Sequence, residues 1–148
     1  MDVTAQLATG VRPEELFSEL EDLSAYPEWL EIVTRAVPTD KVAGDPGPAW
    51  LVDLRGQLGP LRRSKRLRMV RRVHNPPHRV HFTRRELDGR SHSPWSLTAD
   101  VAPTNAGASL EMRLHYGGGL WVPLLDKLLG DEIERSKPRL LDRLDSAR

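Results

Sequence analysis

A small set of polar residues stands in regions of this chain that are otherwise apolar, and their types suggest anion binding or proton transfer. Arg63 and Lys65 share the parity of Leu61 and Leu67 on a predicted strand, so either cation could hold a ligand carboxylate or phenolate. Glu132 lies on a predicted helix, where burial would raise its pKa toward neutrality and make it a candidate general acid or base. The alternative is that the two cations mark a bulge or an exposed strand tip, and that Glu132 is exposed.

The histidines do not predict a metal site, and no catalytic signature takes their place. His78 and His81 are three residues apart on a predicted strand, which sends them to opposite faces. His74 lies at a turn, and His92 and His115 lie on predicted strands without a companion carboxylate at an obvious spacing. The chain has no cysteine, no GxSxG or HExxH motif, no Walker loop and no GxGxxG after a strand. We therefore predict no metal and no cofactor, and the sequence assigns no catalytic residues.

The net charge of +1 hides an uneven distribution. Residues 55–85, here called the basic segment, contain eleven Lys and Arg and no Asp or Glu, whereas residues 1–53 carry an excess of acids. Such a segment can bind an anionic surface or partner, or it can be the solvated outer face of a sheet. Few aromatic residues interleave with it, which argues against stacking on single-stranded nucleic acid.

Alternating apolar and polar residues predict one strand, then two short helices, then a meander of further strands. The predicted strands span residues 3–9, 32–42, 49–56, 61–73, 79–87, 93–101 and 110–116. Pro38 places the second strand at a sheet edge or a bulge, because proline donates no ladder hydrogen bond.

Three segments carry helical signals. Pro13, followed by two glutamates, begins the first helix, and residues 26–30 form a second short piece with Pro27 near its first turn. Residues 120–144 form the longest helix, with apolar residues at spacings of three and four. A glycine and a proline weaken it, and we predict a kink between residues 131 and 138.

These elements predict a single α+β domain over residues 1–148, in which a curved antiparallel sheet of six or seven strands wraps around the C-terminal helix. The N-terminus lacks the basic-then-apolar pattern of a signal peptide, and no apolar run approaches the roughly 18 residues of a membrane span. We therefore expect a cytoplasmic protein without a transmembrane segment. Leu120, Trp121 and Val122 fit either a cavity gate or a dimer contact.

Three stretches resemble a known family: VRPEELFSELEDLSAYPEWLEIV at 11–33, VHNPPHRVHF at 73–82 and SPWSLTADVAPTNAGASLEMRL at 93–114. Together they are similar to the polyketide cyclase/dehydrase and lipid-transport group of the START-like (Bet v 1-like, SRPBCC) superfamily. The resemblance implies a helix-grip fold with a cavity between the concave sheet face and the long helix. Such cavities hold lipids, sterols, polyketides or plant hormones, and a minority of members are cyclases, aromatases or hydratases. Residues 106–109 (AGAS) and Pro138 depart from the family pattern.

Inward parity on the strands and the apolar stripe of the helix predict the cavity lining, although any one of these residues could equally fill a core. The predicted lining residues are Trp29, Trp50, Leu67, Met69, Phe82, Trp95, Leu97, Met112, Leu114, Tyr116, Leu125, Leu128 and Leu129. The predicted polar groups of the pocket are Arg63, Lys65 and Glu132, and we expect Trp29 near the entrance.

Three functions fit these observations. The first is binding or transport of a small hydrophobic molecule without catalysis. The second is a polyketide cyclase, aromatase or dehydratase, which requires at least two of Arg63, Lys65, Tyr116 and Glu132 to converge on the pocket. The third is an interaction module whose basic segment binds an anionic surface, with an affinity that falls as salt rises.

Overall fold

The computed structural model describes residues 2–55, 64–117 and 122–146, except the side chains of residues 64, 122–126 and 128. The strands are β1 (Asp2–Thr9), β2 (Val33–Thr39), β3 (Ala49–Arg55), β4 (Ser64–Asn75), β5 (Arg79–Arg84), β6 (Trp95–Pro103) and β7 (Ala108–Tyr116). The helices are α1 (Pro13–Ser18), a 3-10 helix (Leu23–Glu28) and α2 (Val122–Ser146). The strands form one antiparallel sheet in the order β1-β7-β6-β5-β4-β3-β2. The predicted fold is therefore confirmed.

Strands β2 and β5 end earlier than predicted. β2 is an edge strand, as Pro38 predicts, but it ends at Thr39 rather than at residue 42. β5 ends at Arg84 rather than at residue 87. The reason is that the Glu86 carboxylate accepts the backbone N–H of Arg68 at 2.6 Å, so a side chain replaces the next backbone carbonyl.

The second short helix begins earlier than predicted. Asp22 caps a 3-10 helix by accepting the backbone N–H of Ser24 at 2.8 Å, and Pro27 consequently lies near the end of this helix rather than in its first turn. Residues 23–25, which precede the predicted second piece at 26–30, thus belong to this helix. An aspartate before a short helix is a capping signal, because its side chain accepts an amide that the first turn leaves unpaired.

Aromatic contacts fix the 3-10 helix against the sheet. Tyr26 is fully buried, donates its hydroxyl to the Leu20 carbonyl at 2.8 Å and meets the Phe82 ring edge-on at 6.2 Å. Burial raises the pKa of the Tyr26 hydroxyl far above its usual range. Trp50 packs edge-on to Phe82 at 5.6 Å, and its indole N–H donates to the side chains of Asp22 at 3.1 Å and Ser24 at 3.2 Å.

Helix α2 is continuous through Pro138, and the kink near that residue stays a prediction. Its described buried face contains Leu129, Glu132, Ser136, Leu140 and Leu144, at spacings of three and four. The Ser136 hydroxyl accepts the backbone N–H of Glu31 at 3.1 Å, which joins α2 to the segment after the 3-10 helix. Among the described residues, no helix combines the length and apolar character needed to cross a membrane.

Candidate functional site

An apolar cavity of about 80 Å³ lies between the sheet, the 3-10 helix region and α2. Its described lining is Val3, Leu23, Tyr26, Trp29, Leu30, Ile32, Val33, Val52, Leu54, Leu67, Met69, Trp95, Leu97, Met112, Leu114, Leu129 and Ile133. The Tyr26 hydroxyl already donates to a backbone carbonyl. The wall therefore presents almost only hydrocarbon, aromatic and thioether surface.

Strand register explains why these side chains share one space. Alternate residues of a strand point to the same face of a sheet, and antiparallel pairing aligns them across strands. Val52 pairs with Leu67, and Leu97 pairs with Leu114. On α2, Ile133 follows Leu129 by one turn and extends the wall along the helix.

The structure places eight of the thirteen predicted lining residues around this cavity. They are Trp29, Leu67, Met69, Trp95, Leu97, Met112, Leu114 and Leu129. Trp50 and Phe82 instead pack against the 3-10 helix, and Tyr116 packs on Trp95 with ring centroids 4.5 Å apart. The side chains of Leu125 and Leu128 lie outside the described residues.

Nine lining residues were not predicted, and two kinds of signal point to several of them. Val52 and Leu54 have the same parity as Trp50, so the strand pattern already marked them as inward-facing. Ile133 continues the helical stripe of Leu129. The residues around the 3-10 helix carried no comparable signal, because an irregular segment has no fixed side-chain period.

Two tryptophans of the wall have buried indole N–H groups without an acceptor among the described residues. They are Trp29, which is 3% exposed, and Trp95, which is 7% exposed. Trp29 follows directly after the 3-10 helix and stacks on Tyr26 at 4.9 Å, and it is a buried wall residue. A buried donor without an acceptor is uncommon in proteins and calls for an explanation.

Lys65 supplies a cation beside the same wall. It lies at the start of β4, pairs with Leu54 of β3, and holds its ammonium 5.7 Å from the centroid of the Trp95 ring. Burial lowers the pKa of Lys65, and the positive charge of Arg84 lowers it further, against an opposing effect of Glu86. Lys65 forms no ion pair with any described residue. An anionic group arriving at Trp95 would find this ammonium in a partly desolvated position.

Glu132 is buried but belongs to a different cluster. Its carboxylate pairs with Arg135 at 2.6 Å, Arg135 also pairs with Glu31 at 3.4 Å, and Glu132 does not line the described cavity. Burial raises the pKa of Glu132, and the Arg135 charge opposes this shift. Arg63 lies outside the described residues. Of the three predicted polar groups, the structure thus brings Lys65 alone to the described wall.

Acids from elsewhere in the chain pair with five of the nine Lys and Arg residues of the basic segment that the structure describes. Its ion pairs are Arg66–Asp53 at 2.8 Å, Arg68–Asp45 at 2.6 Å, Arg79–Asp100 at 2.6 Å, Arg84–Glu86 at 3.6 Å and Arg85–Asp45. Charges that are already paired contribute little to attraction toward an anionic surface. These contacts weaken the interaction-module hypothesis.

Parity predicts that Arg68 is solvated on the outer sheet face, and this is wrong. The loop between β2 and β3 covers that face, and Arg68 is 5% exposed. Its guanidinium donates to both Asp45 carboxylate oxygens at 2.6 and 3.2 Å, while Arg85 pairs with the same carboxylate. The hydrogen bonds from Arg68 lower the pKa of Asp45 far below its usual range. We call Asp45, Arg68 and Arg85 the Asp45 cluster.

Three histidines have carboxylate partners that the local spacing did not reveal. His74 pairs with Glu21 at 2.8 Å, and His115 pairs with Asp2 of the neighbouring strand at 3.0 Å. His92, which lies before β6 rather than within a strand, pairs with Asp88 at 2.8 Å. The expectation that no companion carboxylate stands at an obvious spacing is wrong for His92, whose partner is four residues away, whereas the partner of His115 lies on a strand distant in sequence. Across residues 2–55, 64–117 and 122–146, no three His, Asp or Glu residues cluster as metal ligands would.

Comparison with known proteins agrees with this architecture. A START superfamily protein of Mycobacterium smegmatis is 16% identical with a TM-score of 0.75, and 99% of each chain is covered. A protein of Thermus thermophilus is 16% identical with a TM-score of 0.77, again with 99% of each chain covered. The di-domain ARO/CYC StfQ from the steffimycin biosynthetic pathway is 16% identical with a TM-score of 0.69, over 99% of this chain and 51% of that one. At these identities the likeness shows the fold alone.

Sequence comparison identifies the family. No curated protein matches the chain significantly. The family model described as polyketide cyclase / dehydrase and lipid transport matches residues 1–145, which is nearly the whole chain. This match agrees with the sheet, the long helix and the space between them. The chain belongs to the polyketide cyclase / dehydrase and lipid transport family.

Proposed function

We propose that the chain is a single ligand-binding domain over residues 1–148, which holds a small hydrophobic molecule between the sheet and α2. The observation that carries this proposal is the cavity between the sheet and α2, whose described walls are almost entirely apolar. Small-molecule sites are typically apolar spaces with a few polar groups that orient the ligand. Family membership supports the same function, and the proposal requires no catalytic step.

The size of the cavity constrains how it binds. Its volume of about 80 Å³ is well below the roughly 300–1,000 Å³ of pockets for drug-sized ligands. A second void of about 20 Å³ lies next to it and shares Trp29, Met112 and Ile133 as walls. Displacing these three side chains would join the two spaces. We therefore propose that a ligand binds with movement of this shared wall.

Calorimetric titration with small aromatic and alkyl molecules tests the proposal. Burial of apolar surface gives a negative heat-capacity change on binding. Leu54→Phe adds volume at a lining position and should weaken binding about tenfold, the loss of roughly 1.4 kcal/mol. Leu51→Phe is the matched control, because Leu51 is also partly buried on β3 but has the parity of the opposite sheet face and lines neither void. Equal affinities for the two variants would contradict the proposed location.

A second candidate function is cyclisation or dehydration of a polyketide-like substrate. The favouring observation is that Lys65 and Tyr116 both pack against the Trp95 ring, at 5.7 and 4.5 Å, beside the cavity wall. An amine whose pKa is lowered by burial can exchange protons nearer neutral pH. Catalysis by this pair predicts that Lys65→Met and Tyr116→Phe abolish turnover of a poly-β-ketone substrate while ligand affinity persists. Undiminished turnover in both variants would exclude it.

A further inference from the structure

Helix α2 has two polar residues on its buried face, where it meets the segment that follows the 3-10 helix. Glu132 is 5% exposed, and Ser136, one turn later, is 1% exposed. The Ser136 hydroxyl donates to the Glu132 carbonyl at 2.9 Å and accepts the backbone N–H of Glu31 at 3.1 Å. We call the contact between residues 28–32 and α2 the seam. Polar groups therefore hold the seam together in the interior of the protein.

The seam borders the apolar cavity. Trp29 and Ile32 line the cavity from one side of the seam, and Leu129 and Ile133 line it from α2. Trp29 and Ile133 also line the second void. A void leaves the atoms around it without contacts on one side, so separating the seam loses fewer dispersion contacts than separating a fully packed core. Loosening of the seam would give a molecule access to both spaces.

The charges at the seam are unevenly balanced. The carboxylates of Glu132 and Glu31 share Arg135, at 2.6 and 3.4 Å. Because Arg135 is 55% exposed, solvent weakens its attraction for the buried Glu132 carboxylate. Burial raises the pKa of Glu132, Arg135 opposes this shift, and the Glu31 charge adds to it. Keeping the ionised carboxylate buried therefore costs free energy that the protonated form avoids.

We propose that Glu132 is a pH-sensitive switch, which keeps the seam closed while its carboxyl is protonated and loosens the seam when the ionised carboxylate becomes hydrated. This inference rests on the proposed function and specifies how access to the cavity is regulated. Because the Glu132 pKa is raised in the closed seam, its contribution to closure is fully present below the ordinary value of 4.5 and is lost as pH rises through the raised value. Leu140 and Leu144 are buried further along α2, so the end of the helix stays in place.

Amide hydrogen exchange of Glu31 tests the switch without a ligand, because its N–H bonds to Ser136 across the seam. The intrinsic rate at each pH divided by the measured rate gives the protection of this amide. We expect protection to fall between about pH 5 and pH 8, by at most about tenfold for each pH unit, because one proton is released. Amides of β6, which lies inside the sheet, should keep their protection. Unchanged protection of Glu31 would overturn the inference.

Two variants assign the effect to Glu132. Glu132→Gln keeps the shape of the side chain but cannot ionise, so protection of the Glu31 amide should be high at every pH. Glu134→Gln is the matched control, because Glu134 is an exposed residue of the same helix that pairs with Lys137 at 2.7 Å. It should keep the wild-type pH dependence. A Glu132→Gln protein that also keeps this dependence would reject Glu132 as the switch.

The neutral fluorescent dye N-phenyl-1-naphthylamine tests whether the seam controls access to the cavity. Its rate of binding should rise with pH in wild type and in Glu134→Gln, and should stay slow in Glu132→Gln. Binding at a rate that does not change with pH would overturn the role of the seam in access and leave the proposed function intact. Absence of binding at every pH would contradict the proposed function and this role together.

Discussion

Two regions of the described chain bury polar groups and differ in whether those groups have partners. In the Asp45 cluster, the Asp45 carboxylate accepts from Arg68, from Arg85 and from the backbone N–H of Val42. In the cavity wall, Trp29 and Trp95 keep buried N–H groups without a described acceptor. The first arrangement is complete within the chain and holds a loop on the sheet. The second leaves two buried donors without a partner in the described part of the chain, which costs free energy.

The largest loss of stability should come from a substitution in the Asp45 cluster. Asp45→Asn leaves the buried Arg68 guanidinium without its counter-charge, and we expect a loss of about 3 kcal/mol in unfolding free energy. Denaturant unfolding measures this loss. Asp53→Asn is the control, because its partner Arg66 is largely exposed and the pair contributes little. Similar losses in the two variants would show that the Asp45 cluster is no more than a surface contact.

The same cluster gives stability a defined dependence on pH. The pKa of Asp45 is lower in the folded chain than its usual value, chiefly because of the Arg68 hydrogen bonds. A depressed carboxyl pKa stabilises the fold above the unfolded pKa, and the contribution is lost as pH falls below that value. We expect the stability advantage of wild type over Asp45→Asn to be constant near neutral pH and to shrink below about pH 4, near the ordinary carboxyl pKa.

Enlarging the cavity should lower the stability of the protein and strengthen ligand binding. Met112→Ala removes a wall side chain shared by both voids, and we expect a loss of about 2–4 kcal/mol in stability together with tighter ligand binding. Leu140→Ala is the matched control, because Leu140 of α2 is also buried in the core and lines neither void. It should lose comparable stability without gaining affinity. A gain in both variants would mean that general loosening of the core admits the ligand.

Trp50 and Trp95 allow the same comparison between residues of one type, because only the Trp50 indole N–H has a described acceptor. Trp50→Phe removes a satisfied hydrogen bond, whereas Trp95→Phe removes a donor without a described partner. In the ligand-free protein, Trp50→Phe should therefore cost about 0.5–1.5 kcal/mol more than Trp95→Phe. Thermal or denaturant unfolding of the two variants measures the difference. The reverse order would show that the Trp95 N–H already has a stabilising partner.

The smallest effect concerns Lys65. Because burial lowers its pKa, the ammonium should lose its proton at a lower pH than an ordinary lysine. Binding of benzoate should weaken as pH rises through that lowered pKa, and Lys65→Met should weaken it a few-fold while acetophenone is little affected. Titrations of both ligands across alkaline pH provide the check. An identical response of the neutral ligand would point to a change in the fold instead of the loss of one charge.

Sequence patterns predicted the fold because its signals are local. Strand alternation and the stripe on α2 predicted eight of the seventeen described wall residues, and Pro38 marks the edge strand. The Asp45–Arg68 pair escaped prediction because its partners lie 23 residues apart and a loop covers an apparently solvated strand face. Strand parity likewise gives no information on whether an indole N–H finds an acceptor. The size of the cavity could not be predicted either, because it depends on how side chains from separate elements pack together.

Native mass spectrometry of the purified protein, with extraction and identification of anything bound, tests the central claim most directly. We expect the protein to carry a small hydrophobic molecule, or to form a one-to-one complex with acetophenone once any bound molecule is removed. An empty protein that forms no complex with acetophenone or with a panel of other hydrophobic ligands would contradict the claim that the cavity is a binding site.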